Sequence, residues 1–398
     1  MILAAHILAL SIVSAAPVSA KSSFAEPAGA SGVAATSKPP EAAPSDPQVT
    51  AFASLDKGAG VERKDGLFSV AFHFVAQPRI DWNELEPTDQ VGFRFTMVRT
   101  QLRGNLVSKK LKYFFQAELS GQPSLVDMEF YYEAHHWANI HFGQFITPFS
   151  REFLVPPFRL LFPDFSPSNV FFRDGRQRGV MVEGASSRGF FSYAASLTNV
   201  NGIGTTALAN EKDHLLAVGR VAITPWGVNG YSETPTIDGV APGLTFGFNS
   251  SVARQDFPVF GPIPGTPAVT ALNSVLSLGV DAELHMSRFS LEGEAYARRT
   301  RRLDDTANPN WALGGYVQAG VMLVPKKLEF GLRQDLLTPS SVSNQGRSRR
   351  SEAVLAYYFA GSHLKMQLRY AFTHAEAGST IAPPGDSHGL TLQTQIFF

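Results

Sequence analysis

Between Arg151 and Arg178 the chain sets Arg151, Arg159, Arg173, Arg176 and Arg178 against Glu152, Asp164 and Asp174, without a single lysine. Guanidinium groups stay charged at any physiological pH and present a planar fork of N–H donors. Gathered in a narrow wet passage, they draw in anions by field and by bidentate geometry. Local pairing competes with this. Glu152 adjoins Arg151 and Asp174 lies close to Arg176, so about half of these arginines are expected to face open water.

No other chemistry stands out. His135, His136 and His141 flank one turn, but no neighbouring acid or further histidine completes a metal-ligand set. Ser, His and Asp are scattered without the nucleophile, base and orienting group that a hydrolase needs at one rim. No phosphate-binding loop, nucleotide fingerprint or metalloprotease helix motif occurs. The chain is therefore expected to have no catalytic residues, no cofactor and no metal. The absence of cysteine removes disulfides and thiol catalysis. With 34 basic and 34 acidic side chains, the balanced charge argues against nucleic-acid binding.

The elements that must position these arginines are strands. From Gly66 onward the pattern is alternation, a turn, and alternation again. Leu276, Leu278, Val280, Ala282, Leu284 and Met286 alternate with Ser277, Gly279, Asp281, Glu283 and His285. Leu364, Met366, Leu368, Tyr370 and Phe372 alternate with Lys365, Gln367, Arg369, Ala371 and Thr373. In the last ten residues Leu390, Leu392, Ile396 and Phe398 share one face, while Thr391, Gln393 and Gln395 share the other. A strand that ends a chain on Phe398 suits an outer-membrane barrel, with lipid on one side and a wet lumen on the other. Such an ending also looks like the signal that barrel-assembly machinery reads.

About sixteen strands are predicted, starting near Leu67, Val91, Leu111, Leu125, Asn139, Gly179, Phe190, His214, Leu244, Ser274, Phe289, Trp311, Leu328, Ser351, Leu364 and Gly389. The fold class is all-β, a transmembrane antiparallel barrel. Arg99, Arg220, Lys365 and Arg369 are assigned to the lumen wall. Trp137, Phe142, Trp226, Trp311, Tyr357 and Tyr358 lie near strand ends, where interfacial girdles form. Two clusters, Arg298–Arg302 and Arg347–Arg350, read as solvated loop; contact with lipopolysaccharide phosphates is their functional alternative.

The stretch from Arg151 to Arg178 is too long and too apolar to wave in water. It carries Phe153, Phe158, Phe162, Phe165, Phe171 and Phe172, and Pro156, Pro157, Pro163 and Pro167 block regular structure. It is expected to fold into the barrel as a third loop, anchored by its phenylalanines, and to narrow the lumen. Its five arginines are then the constriction candidates.

Ahead of the barrel, Ile2–Ala16 is mostly apolar and Pro17-Val18-Ser19-Ala20 offers small residues for a signal peptidase. Residues 1–20 are read as a signal peptide, although a basic n-region is missing. Residues 21–60, rich in Ala, Pro, Ser and Gly, are read as a flexible linker, and 61–398 as the barrel.

Several runs carry a family resemblance. Gly143-Gln144-Phe145-Ile146-Thr147-Pro148-Phe149-Ser150 with Glu152, then Arg176-Gln177-Arg178-Gly179-Val180-Met181-Val182-Glu183-Gly184, resemble the phosphate-selective porins of the O and P type. Arg99 with Gly104-Asn105-Leu106, Tyr113–Glu118 and Tyr193–Gly202 fit the same pattern. The resemblance implies a sixteen-stranded barrel in the outer membrane of a Gram-negative bacterium. It also implies a homotrimer, an inward third loop and a preference for small anions. One departure matters: Ile146 stands where the family usually has lysine. A weak or broad anion preference is therefore expected, for a passive channel whose partners are outer-membrane lipid and lipopolysaccharide. The rivals are a barrel enzyme of lipase or protease type and a soluble all-β binding protein.

Overall fold

The computed structural model describes residues 49–84, 89–200, 202, 215–227, 230–259, 269–303, 309–340, 346–379 and 382–398. The expected signal peptide and residues 21–48 lie outside these.

Two short strands, β1 (Val49–Ser54) and β2 (Gly58–Arg63), form a hairpin. Then come β3 (Ser69–Glu84), β4 (Gln90–Leu106), β5 (Ser108–Glu118), β6 (Ser124–His135), β7 (Ala138–Ile146), β8 (Arg176–Ala185), β9 (Phe191–Asn199) and β10 (Leu215–Trp226). The circuit continues through β11 (Gly243–Val259), β12 (Val269–His285), β13 (Phe289–Arg302), β14 (Asn310–Val324), β15 (Leu328–Thr338), β16 (Ser348–Ala360), β17 (Leu364–Ala375) and β18 (Gly385–Phe397). Each strand from β3 to β18 pairs antiparallel with the next. β18 closes the ring on β3, with Leu390 opposite Trp82, Leu392 opposite Ile80 and Phe397 opposite Val75. The result is a closed barrel of 16 strands. Closure leaves no free edge, as a bilayer demands.

The alternation sorts as lipid and water require. On β17, Leu364, Met366, Leu368 and Tyr370 point outward and exposed, whereas Lys365, Gln367 and Arg369 point inward and are buried. On β18, Leu390, Leu392 and Ile396 face out and Thr391, Gln393 and Gln395 face in. The terminal residue takes part in closure. Phe398 N–H donates to the Phe74 carbonyl at 3.1 Å, and Phe74 N–H donates back at 3.0 Å.

Register is therefore costly to violate. Leu368, 43% exposed on the outer face, tests this directly. Leu368→Lys should destabilise the barrel by roughly 2–4 kcal/mol if the site lies near the bilayer midplane. Equilibrium unfolding by guanidinium in lipid vesicles measures that loss; an unchanged midpoint would contradict a lipid-facing position.

Two expectations need adjustment. The hairpin β1–β2 occupies residues expected to be linker, and β2 pairs with the start of β3 through Ala59 and Phe72. Its Ala-Gly-Ser composition hides it, because these strands are held by pairing to the barrel rather than by apolar area of their own. Tyr358, assigned to a girdle, points inward instead and is buried, its hydroxyl donating to Glu329 at 2.7 Å. Its neighbour Tyr357 takes the outward position that alternation leaves for it.

Connections alternate in length. Tight turns join β4 to β5, β6 to β7, β12 to β13, β14 to β15 and β16 to β17. That end also carries Phe398. One connection there is longer, Gly227–Pro242, and contains the short helix α3 (Pro235–Asp238). The opposite end holds the longest described connection, Thr147–Gly175 between β7 and β8.

Candidate pore constriction

The Thr147–Gly175 loop turns into the barrel. It contains the short helices α1 (Arg151–Leu154) and α2 (Pro167–Phe172), with a 3-10 turn at Pro157–Arg159 between them. Ser150 and Ser166 cap the two helices by accepting from Phe153 N–H at 3.4 Å and Asn169 N–H at 3.1 Å. Pro167 occupies the first helical position of α2, where its missing N–H costs nothing.

The phenylalanines anchor this loop to the wall. Phe149 and Phe172 pack against Tyr296, Leu216, Val218, Ala312 and Leu337 on the inner face of β10, β13, β14 and β15. Leu161 and Phe162 pack against Met322, Val354, Ala356 and Tyr358. Phe158 stacks on Phe397, ring centroids 4.1 Å apart. Two inward-facing glycines make room. A Cβ on Gly314 would lie 2.7 Å from the Phe172 ring, and one on Gly331 would lie 2.7 Å from Leu161. Each glycine is thus a socket for a loop side chain.

Buried ion pairs set the loop's position. The Glu294 carboxylate accepts from Ser150 Oγ at 3.2 Å, Arg151 N–H at 3.0 Å and Glu152 N–H at 2.5 Å. The Arg151 guanidinium donates to Glu292 at 2.7 Å, to the Gly230 carbonyl at 2.8 Å, and to Glu283. Arg333 holds Glu352 at 2.7 Å and Glu152 at 3.3 Å, beneath the Phe162 ring. Asp164 accepts from Arg79 and from Arg369, each at 2.7 Å. Burial pushes the Asp164 carboxyl up, but Arg369, Arg79 and Arg333 together hold it below its ordinary value. Burial raises the Glu152 carboxyl well above its ordinary value, with Arg333 opposing.

The long connection at the other end reaches the same loop. Glu233 N–H donates to the Arg159 carbonyl at 3.1 Å, and the Glu233 carboxylate accepts from Leu161 N–H at 2.8 Å. Asp238 accepts from Ser362 Oγ at 2.6 Å. The loop is thus gripped both from the wall and from the short-turn end.

A cavity of about 810 Å³ lies between β3, β4 and the start of β16 on one side and the loop on the other. Arg94, Arg99, Arg173 and Arg350 line it, and Asp164 is its single acid. Arg94 is held by Asp81 at 2.7 Å and Arg99 by Glu118 at 2.7 Å. Arg173 and Arg350 have no carboxylate within ion-pair distance among the described residues. Arg173 lies over Phe153 and Phe165, 4.5 and 5.2 Å from their centroids. Arg350 donates to Thr373 Oγ1 at 2.9 Å. A second cavity of about 290 Å³ shares Arg94, Asp164 and Arg350 and continues towards Pro383 and His388.

A bulge in β4 explains how Arg94 joins this row. Gln77 pairs with Met97 but Pro78 pairs with Phe95, so Thr96 is the extra residue. Below it the odd residues Met97, Arg99 and Gln101 face inward; above it Arg94 does, while Phe93 and Phe95 point out, 81% and 59% exposed. Strict alternation would place Arg94 and Arg99 on opposite faces. Pro78, which has no N–H to offer the ladder, sits opposite the irregularity.

The sequence-predicted residues separate into groups. Arg173 and Arg99 line the cavity. Arg159 lies outside its lining, partly exposed, 3.8 Å from Asp238. Arg176 and Arg178 lie outside the lining too, Arg176 bonded to Asp127 at 2.8 Å and Arg178 to Gln144 at 3.0 Å. Arg151 departs from expectation. It is 1% exposed and neutralised by wall glutamates, because the loop docks its helix α1 face against β12 and β13. Arg220 faces inward but is neutralised by Asp281. Lys365 and Arg369 face inward, and the loop covers them: Lys365 donates to the Leu160 carbonyl at 2.6 Å and Arg369 to Asp164. Arg350 corrects the reading of its cluster as solvated loop, since β16 begins at Ser348 and turns Arg350 inward. Among the described residues no group of three His, Cys, Asp or Glu could hold a metal ion. His141 points inward between Glu129 and Glu183.

No curated protein matches this sequence. Solved structures do resemble the fold. An anion-selective porin from Comamonas acidovorans aligns with a TM-score of 0.61 at 12% identity, over 83% of this chain and 100% of that one. The outer membrane channel DcaP of Acinetobacter baumannii gives 0.58 at 11% identity, over 85% and 99%. The in-vitro folded trimer form of OmpT from Vibrio cholerae gives 0.57 at 12% identity, over 83% and 99%. At such identities the likeness speaks for the fold. The sequence model of one family reaches further, matching residues 76–398, nearly the whole barrel including the loop and its cavity. The chain therefore belongs to the phosphate-selective porin O and P family and is an outer-membrane channel.

Proposed function

We propose that this porin lets small hydrophilic anions diffuse passively across the outer membrane of a Gram-negative bacterium, phosphate being one permeant anion among several. The observation that carries this reading is the pair Arg173 and Arg350, facing the open cavity without a carboxylate partner among the described residues. The other two arginines that line this cavity, Arg94 and Arg99, are matched by Asp81 and Glu118, so the residual field there comes from Arg173 and Arg350. The loop offers no lysine, which supports a broad preference over a tight phosphate site.

Export through residues 1–20, assembly through the strand ending at Phe398, and a homotrimeric state belong to the same reading. The trimer form of the similar Vibrio cholerae protein supports the last. At the long-loop end Arg301 and Arg349 are exposed on the outer face, in reach of lipopolysaccharide phosphates.

In a planar bilayer under a potassium chloride gradient, the zero-current potential should carry the sign of chloride permeation. A potential of the opposite sign would overturn the anion reading. Added phosphate should depress chloride current only weakly; strong block would show a dedicated phosphate site instead.

A further inference from the structure

The cavity between β4 and the loop has two unlike walls. One is the row of guanidiniums. The other is apolar and formed by Phe165, Pro167, Val170 and Phe171 of the loop, continued by Met97 of β4. Val170 is 51% exposed, an apolar side chain held open in a hydrated passage. Small inorganic anions gain nothing from such a wall. They keep their water only by staying clear of it, and shedding that water is costly. An apolar body moving along the wall gains from every contact that excludes water.

Arg173 sharpens the point. Its guanidinium lies over Phe153 and Phe165. The two rings, themselves 5.6 Å apart and edge-on to each other, cover one side of the group, and its N–H donors are the part left to bind. Those donors match a planar carboxylate in bidentate fashion. Stacked guanidinium is also weakly hydrated, unlike an ammonium, which favours weakly hydrated partners.

We infer that the constriction selects organic carboxylates bearing an apolar or aromatic body over inorganic anions of the same charge. The carboxylate engages Arg173 and Arg350 while the body slides on Phe165, Val170 and Phe171. This rests on the anion preference proposed above and names the substrate class of the same passage.

The test uses the full-length porin in planar bilayers carrying chloride current. Benzoate, cyclohexanecarboxylate, acetate and inorganic phosphate are titrated separately. Benzoate and cyclohexanecarboxylate should half-block the current at about tenfold lower concentration than acetate or phosphate. Val170→Thr replaces one methyl by a hydroxyl and should weaken block by the two apolar anions about fourfold, without moving phosphate. Arg173→Gln should weaken block by all three carboxylates, acetate included. Equal block by benzoate and acetate, in a channel that still prefers chloride to potassium, would overturn this inference and leave the anion reading standing. A channel that prefers potassium would overturn both.

Discussion

Arg151→Ala is expected to raise single-channel conductance and erase ion preference while the barrel itself stays folded. Arg151 is the cation among three buried acids. It binds Glu292 at 2.7 Å and Glu283, and its own backbone N–H donates to Glu294 at 3.0 Å. Arg220, the inward-facing cation of β10, is committed to Asp281 through two hydrogen bonds. Removing one partner of a buried pair costs about 3–5 kcal/mol, because the charge left behind has neither water nor a counter-ion. The strands hold the glutamates in the closed barrel, so they cannot move. The loop can, and its release admits water to them. Conductance in bilayers reports that release, and heat-shifted gel mobility reports whether the barrel survives. Arg151→Lys should fall between, since an ammonium cannot span Glu292, Glu283 and the Gly230 carbonyl at once. A variant with unchanged conductance would remove this cluster from the loop's anchorage.

The second large effect is a reversal of charge at the narrowing. Arg173→Glu combined with Arg350→Glu should move the zero-current potential from the anion side to the cation side. A unit charge acts on a permeant ion with about 1 kcal/mol at about 4 Å in a water-like dielectric. Exchanging two cations for two anions should therefore change the permeability ratio by roughly tenfold or more, even after screening. Lys365→Met serves as the contrast. Lys365 faces inward but is buried beneath the loop, donating to Leu160, so its loss should move the potential much less. If the two experiments gave equal shifts, the cavity would not be the selective passage.

Much of this architecture was legible before folding. Each predicted strand start lies within a few residues of an observed one; Phe289, Leu328 and Leu364 coincide with β13, β15 and β17. The need of the stretch from Arg151 to Arg178 for cover was legible too, because a long run with this many phenylalanines and prolines has no stable place in water. Which arginines face the passage was not. Arg94 was hidden by the bulge at Thr96, which breaks the parity that alternation relies on. Arg350 was hidden by its basic neighbours Arg347 and Arg349, which made a strand start look like a loop. The hairpin β1–β2 was hidden by its small residues.

Sequence alone determined the succession of strands and, wherever no bulge interrupts the alternation, the outward face of each. Those follow from a two-residue rhythm that lipid and water impose on neighbours in the chain. Only the tertiary structure decided the electrostatics of the passage. Arg151 meets Glu292, and Asp164 meets Arg79 and Arg369, across large separations in sequence. Such pairs exist only once the ring is closed and the loop has chosen a wall. Charge at the narrowing is what remains after those partners are satisfied.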